Sequence, residues 1–93
     1  MPHYYFHLRN GSGFTQDEEG RELADLEAAR REAVLTIRSI GSEEVKNGRL
    51  DLRGRIEITG EGGVNVLTMS FADALEVITG PPIDIDTPPG IST

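Results

Sequence analysis

Apolar and polar residues alternate over residues 3–9, which is typical of a β-strand with one buried face. The alternation assigns Tyr4, Phe6 and Leu8 to the buried face and His3, Tyr5, His7 and Arg9 to the other. Residues 10–13, Asn-Gly-Ser-Gly, tolerate the positive φ of a tight turn, so residues 14–16 are predicted to return as a second strand. Residues 17–20, Asp-Glu-Glu-Gly, are predicted to form a turn.

Spacings of three and four residues separate the apolar positions of the next segment and predict a long amphipathic helix. Those positions are Leu26, Ala29, Ala33, Ile37 and Ile40. Asp25 precedes them and is predicted to be the N-cap residue. Because Asn47-Gly48 is a better terminator than Gly41, we predict one helix that continues through Gly41, with a kink there left open.

The second half of the chain predicts another hairpin. Residues 55–59 alternate strictly, with Ile56 and Ile58 inward, and residues 60–63 form the loop. The return strand, residues 64–71, directs Leu67, Met69 and Phe71 into the same core. Ser70 and Asp73 resemble a capping box and predict a short helix over residues 71–78, stopped by Gly80-Pro81-Pro82.

The predicted order is therefore β-β-α-β-β-α. Two hairpins form one antiparallel sheet and the long helix packs on one of its faces, which is a two-layer α+β fold. We assign residues 1–79 to this single domain. Residues 80–93 contain four prolines and are predicted to be an extended or disordered tail.

Composition narrows the classes of function. The chain has 93 residues, no cysteine and a formal charge of -7, so disulfides, thiolate zinc sites and cysteine nucleophiles are excluded. The negative charge repels phosphate backbones and argues against nucleic acid as a partner. No apolar run approaches the ~20 residues of a membrane span, and the first residues lack the pattern of a secretory signal. We therefore expect a cytoplasmic protein without a membrane partner.

Four segments together resemble a family of small alphaproteobacterial proteins described only as a domain of unknown function. They are MPHYYFHLRNG at the start, DEEGRELADLEAARREA in residues 17–33, LRGRIEI in residues 52–58 and VLTMSF in residues 66–71. The resemblance covers roughly residues 1–78 and leaves the tail outside. It implies a shared fold but supplies no activity, cofactor or catalytic residue. The Gly41-Ser42 pair departs from the uninterrupted helix that the resemblance leads us to expect.

The sequence contains only weak patterns for metal binding, catalysis or anion binding. His3 and His7 have a spacing that suits metal binding on a helix, but on a strand their Cα atoms lie about 13 Å apart. Catalysis by His7 with Glu57 would require adjacent strands and a cleft. The cluster of Arg49, Arg53 and Arg55 is predicted to form local pairs with Asp51 and Glu57. We predict no catalytic residues, no metal site and no cofactor.

Two classes of function stay open. The first is a non-enzymatic interaction or regulatory module that binds itself, as a homodimer, or another protein. The alternative is a small enzyme or ligand-binding protein whose site is assembled between subunits, because a sheet of this size leaves little room for a pocket of ~300 Å³. A likeness to antitoxin-type β-β-α-β modules rests on fold analogy alone.

The sheet face opposite the helix is the predicted contact face, for a second copy of the chain before any other partner. On the predicted register it displays His3, Tyr5, His7, Arg55, Glu57, Val66 and Thr68. Tyrosine and arginine supply large contact areas with a polar end, which suits an interface better than a face that meets only water. The alternative is an antiparallel sheet with one solvated face.

Overall fold

The computed structural model describes residues 1–83 and has one long helix on a five-stranded antiparallel sheet. Its elements are β1 (His3–Asn10), β2 (Gly13–Thr15), β3 (Arg21–Glu22), α1 (Leu26–Lys46), β4 (Arg55–Thr59) and β5 (Asn65–Ser70). Single 3-10 turns occupy Glu61–Gly63 and Ala72–Ala74. The strand order is β2-β1-β4-β5, and β3 pairs with β1. The α+β prediction is confirmed.

Helix α1 begins and continues as predicted. The side chain of Asp25 accepts a hydrogen bond from the Ala28 N–H at 2.9 Å. The helix passes through Gly41, which is buried. A Cβ atom at Gly41 would lie 3.4 Å from Leu50 and 3.8 Å from Leu75, which are ordinary van der Waals distances, so both leucines pack over this part of the helix. Asn47 ends the helix, as the Asn47-Gly48 pair predicts.

The core lies between α1 and the central strands. Ile56 and Ile58 of β4 are buried against the apolar stripe of α1, where Ile37 is also fully buried. The inward alternation predicted for β4 and β5 is therefore confirmed. Phe6 of β1 is only partly buried, because its ring lies at the side of this core, with the Arg21 guanidinium 5.1 Å from the ring centroid.

Strand β3 was not predicted. Residues 17–20 do form a turn, and the chain then returns to β1, where Tyr4 pairs with Arg21. The pairing of Leu8 with Thr15 would place Asp17 opposite Phe6 if it continued. The pairing of Tyr4 with Arg21 is shifted by two residues, so the segment between β2 and β3 contains two extra residues. The hairpin partner of β1 is thus one long segment interrupted by an irregular turn.

The predicted helix over residues 71–78 is wrong beyond its first turn. Ser70 Oγ accepts a hydrogen bond from the Asp73 N–H at 3.0 Å, but the 3-10 turn ends at Ala74 and Leu75 is extended. The residues that follow, Val77, Ile78 and Thr79, are β-branched and disfavour a helix. The Ala74 carbonyl accepts a hydrogen bond from Arg38 Nε at 3.0 Å, which holds this turn against α1.

The predicted tail, residues 80–93, begins inside the described residues. Residues 80–83 are exposed and belong to no helix or strand. Residues 84–93 lie outside the described residues, so the domain boundary at residue 79 stays a prediction.

Candidate functional site

The predicted contact face lies on β1, β4 and β5, opposite α1. The register pairs His7 with Glu57 and Glu57 with Thr68, which places the predicted residues of the three strands in adjacent rows. His3 and Tyr5 continue the row along β1, and Arg55 continues the row along β4. Val66 lies at a bulge in β5, where Thr59 pairs with Asn65 instead. The bulge interrupts the alternation there, so Val66 marks the edge of this surface.

Aromatic rings form a continuous row along this face, which we call the aromatic row (His3, Tyr5, His7 and Phe14). The centroids of His3 and Tyr5 are 5.0 Å apart, and those of Tyr5 and His7 are 6.4 Å apart with nearly parallel planes. Phe14 of β2 extends the row, 6.0 Å from His7. The Arg9 guanidinium lies 4.3 Å from the centroid of Phe14. Mutual packing therefore restricts these side chains before any partner binds.

Charged side chains beside the aromatic row pair with one another. Arg9 and Arg55 are direct cross-strand neighbours, an arrangement that is unfavourable for like charges. Glu57 Oε2 accepts a hydrogen bond from Arg55 Nε at 2.9 Å and from Arg9 Nε at 3.1 Å. The hydrogen bond from Arg55, together with Arg9, holds the pKa of Glu57 below its usual value. This part of the face is therefore a compact ion network with one carboxylate between two guanidinium groups.

Asp17 organises the turn beside the face. Its Oδ2 accepts a hydrogen bond from the Phe6 N–H at 3.0 Å, and its Oδ1 accepts from the N–H groups of Gly20 at 3.0 Å and Glu19 at 3.2 Å. Partial burial raises the pKa of Asp17, but these N–H groups and His7 lower it by more, so the net pKa lies below its usual value. The carboxylate replaces the backbone partner that β1 loses between β2 and β3.

His7 has both ring nitrogens occupied. The Asp17 N–H donates to Nδ1 at 3.1 Å, so Nδ1 carries no proton in this structure. Nε2 then carries the ring proton and donates to Thr59 Oγ1 at 3.0 Å. His7 is a structural link between β1, the Asp17 turn and β4, and it makes no hydrogen bond with Glu57. The geometry needed for the considered His7–Glu57 catalytic pair is not formed.

Asp17 makes a stability contribution that depends on pH. Because its folded pKa lies below the ordinary value, the contribution is present above about pH 4 and is lost as the pH falls through the folded pKa. We expect Asp17→Ala to lower the free energy of unfolding at pH 7 by about 1–3 kcal/mol, because three backbone donors lose a charged acceptor. Urea unfolding from pH 7 to pH 3 should show the wild-type advantage shrinking.

The control for this experiment is Glu18→Ala. Glu18 is exposed and accepts no hydrogen bond from the described residues. Its replacement should change the unfolding free energy by less than about 0.5 kcal/mol at any of these pH values. An Asp17→Ala loss that stays constant down to pH 3 contradicts the charged-acceptor role.

A polar groove of about 380 Å³ opens beside the middle of the aromatic row, at Tyr5 and His7. Its lining residues are Tyr5, His7, Gln16, Asp17, Glu18, Thr59, Gly60, Gly62 and Gly63. The groove is open to solvent, so the expectation that a sheet of this size leaves little room for an enclosed pocket of ~300 Å³ stays a prediction. Two of its titratable side chains already make hydrogen bonds that hold the turn. His7 accepts from the Asp17 N–H, and the Asp17 carboxylate accepts from backbone N–H groups.

The arginine cluster forms the local pairs that its sequence predicts. Arg53 Nη2 lies 2.8 Å and Arg49 Nη2 lies 3.7 Å from Asp51 Oδ2, and Arg55 pairs with Glu57. Hydrogen bonds from the side chain and backbone of Arg53 hold the pKa of Asp51 well below its usual range. Within residues 1–83, no three His, Asp or Glu side chains converge in a way that would hold a metal ion. No helix in that part of the chain is long and apolar enough to cross a membrane.

Sequence analysis missed several residues of this region: Phe14, Asp17 and Thr59 among the contacts of His7, and Arg9 among the partners of Glu57. Arg9 shares the outward alternation of β1, so period-two spacing was a signal for its inclusion. Phe14 was placed in the returning strand without an assigned face. The role of Asp17 has no periodic signal, because it depends on side-chain hydrogen bonds to residues 10 and 11 positions away.

Comparison with known proteins adds one finding. A family model with the description "Domain of unknown function (DUF6894)" matches residues 3–72, which includes all six elements named above. No match was found among curated proteins or among solved structures.

Proposed function

The chain belongs to the DUF6894 family of domains of unknown function, and we propose that it is a non-enzymatic interaction module whose sheet makes its protein contacts. The first partner is a second copy of the chain, and another protein is the alternative. We place this activity in the cytoplasm, where a chain without cysteine needs no oxidising compartment to become stable.

The aromatic row is the observation that carries this proposal. Its rings present large, flat surfaces with polar atoms at their ends, a combination that is enriched at protein interfaces. Tyr5 is held between His3 and His7, so little side-chain entropy remains to be lost when a partner covers it. Restricted aromatic side chains on a face that α1 does not cover are well suited to binding.

The charges on the face support burial against a second copy. Removing a charge from water is costly when the charge lacks a partner, and Glu57 already has two. Arg9 additionally lies over Phe14, which gives its guanidinium a favourable aromatic neighbour. A two-fold contact between two such faces buries ionic groups that remain paired within each chain.

The polar groove favours a second candidate function, binding of a small ligand. Its volume of about 380 Å³ falls within the range of ligand pockets, and it lies within one chain instead of between subunits. Its mouth is open and its walls are largely polar, which is unlike the mostly apolar lining of tight sites. We therefore rank ligand binding below protein contact.

Substitution of Tyr5 tests the proposal. We expect light scattering across a concentration series to show association of the wild-type chain, and Tyr5→Asp to weaken it at least tenfold, because an unpaired charge enters the contact. Leu35→Asp is the matched control. Leu35 is 58% exposed on α1, so the substitution adds the same charge on the other side of the molecule. Wild-type monomer at every concentration, or equal weakening by both variants, contradicts the proposal.

A further inference from the structure

The two edges of the sheet are built differently. On the β1 side, the Phe6 N–H that faces outward is covered by the Asp17 carboxylate at 3.0 Å. The neighbouring segment is interrupted by the irregular turn, and its second part, β3, consists of Arg21 and Glu22. Irregular turns and charged residues are devices that prevent a sheet edge from pairing with another chain. We call this edge, which runs from β2 through the turn at residues 17–20 to β3, the guarded edge.

The edge formed by β5 carries no charged residue, and its one irregularity is the bulge at Val66; we call it the open edge (residues 65–70). Its six residues, NVLTMS, include no charged residue and no proline. Among the described residues, β5 pairs only with β4. Val66 at its bulge is 38% exposed. A neutral edge strand of this length presents unpaired backbone groups that favour addition of another strand.

The hydrogen-bond pattern identifies which backbone groups face outward. The Phe71 N–H donates to the Gly54 carbonyl at 2.9 Å, in the register that also pairs Met69 with Ile56. Antiparallel pairing alternates, so Phe71, Met69 and Leu67 direct their backbone groups towards β4. Thr68 and Ser70 therefore direct theirs away from the sheet.

The other side of the sheet supports this alternation. Continuing it through β4 to β1 directs the backbone groups of Phe6 away from β4. The Phe6 N–H is indeed the group that Asp17 covers. The same pattern thus gives one outward N–H on the guarded edge that Asp17 covers, and two outward positions on the open edge that no residue in 1–83 covers.

We propose that the open edge pairs antiparallel with the open edge of a second copy, through the outward backbone groups of Thr68 and Ser70. The inference rests on the proposed self-association and identifies a second surface for it. A two-fold axis makes the two strands equivalent, so the N–H groups of each can donate to the carbonyl groups of the other. The contact uses the same surface on both chains and therefore closes as a dimer instead of continuing into a fibre. Because the open edge is neutral, no like charges face one another across the new pairing.

A second copy also fits the geometry of the rest of the molecule. Addition to the guarded edge would place the new strand against the Asp17 turn and charged β3, so the open edges pair with each other. Their two-fold axis is perpendicular to the sheet, which keeps both α1 helices on one face and both aromatic rows on the other. Contact between aromatic rows has its two-fold axis parallel to the sheet, between the two faces in contact. Two perpendicular two-fold axes that intersect generate an assembly of four chains.

Thr68→Pro tests the edge contact, and Thr68→Ala, which keeps the outward N–H, is the control for the loss of the Thr68 side chain from the contact face. Proline removes the outward N–H of Thr68 and leaves the β4–β5 hydrogen bonds in place, since an edge strand tolerates proline when that N–H faces solvent. In light scattering we expect four chains for the wild type, two for Thr68→Pro, two for Tyr5→Asp and one for the double variant. Circular dichroism verifies that each variant is folded.

Amide hydrogen exchange in the wild-type chain provides a test that needs no substitution. The amides of Thr68 and Ser70 should exchange at least tenfold more slowly in the assembled state than at dilutions where the chain is monomeric. Leu67 and Met69 are the internal controls, because their amides face β4 and should be protected at both concentrations. If Thr68→Pro does not fold, this measurement decides the question.

The outcomes separate the two contacts. Unchanged mass in Thr68→Pro, or fast exchange of Thr68 and Ser70 in the assembled chain, overturns edge pairing and leaves the contact face standing. Loss of mass in Thr68→Pro with none in Tyr5→Asp supports the edge and overturns the face. Slow exchange that is independent of concentration shows that the chain covers its own edge and also overturns the inference. A wild-type monomer overturns both proposals.

Discussion

Replacement of Phe71 by alanine is expected to lower the free energy of unfolding by about 3–5 kcal/mol. Phe71 is 1% exposed and is among the largest fully buried side chains of the described residues. Its backbone bonds to Gly54 and its ring lies against the same residue, where an added Cβ would come within 3.1 Å of the ring. Since small domains have a total stability of roughly 5–15 kcal/mol, the variant should be close to unfolding at 25 °C.

Urea unfolding followed by circular dichroism measures this loss, with Phe14→Ala as the control of the same residue type. Phe14 is 47% exposed on β2, so its removal costs only ring contacts with His7 and Arg9, about 1 kcal/mol. Similar midpoints for the two variants would show that Phe71 is not at the centre of the core.

The importance of Phe71 was only partly predictable. Alternation placed it on the inward side of the returning strand, but its burial depends on Gly54, a residue 17 positions away whose lack of a side chain makes room for the ring. Phe6 has the same inward alternation and is only partly buried. Periodicity identifies the face to which a residue belongs, whereas its depth depends on which part of that face α1 covers, and α1 packs mainly over β4 and β5.

The candidate site divides in the same way. Period-two spacing correctly grouped His3, Tyr5 and His7, because neighbours on one face of a strand are fixed by local geometry alone. The turn at residues 17–20 was predicted, but strand β3 and the role of the Asp17 carboxylate were not, because they depend on a side chain taking the place of a backbone partner. The predicted helix over residues 71–78 is not formed beyond its first turn because, after the cap at Ser70, only residues 72–76 come before β-branched Val77, Ile78 and Thr79, and so short a helix is not stable.

Gly20 is where the guarded edge is most sensitive to substitution. Its φ of +63° is unfavourable for a residue with a side chain and costs roughly 1 kcal/mol. A Cβ atom at Gly20 would also lie 2.6 Å from the Tyr4 carbonyl oxygen and 2.8 Å from the His3 ring, so the chain would have to shift, at a cost of about 1–3 kcal/mol. We expect Gly20→Ala to lower the unfolding free energy by about 2–4 kcal/mol in total.

Gly48→Ala separates the two contributions, because Gly48 has a φ of +84° and nothing within 4 Å of its Cβ position. It should cost only about 1 kcal/mol in the same urea experiment, from backbone strain alone. Equal losses in the two variants would contradict the close approach of Gly20 to β1.

If the Gly20→Ala loss instead reflects displacement of β3, the backbone groups of β1 that pair with Arg21 and Glu22 become exposed. The double variant Gly20→Ala with Thr68→Pro should then still associate. Its open edge is blocked, so the association would use the newly exposed edge of β1.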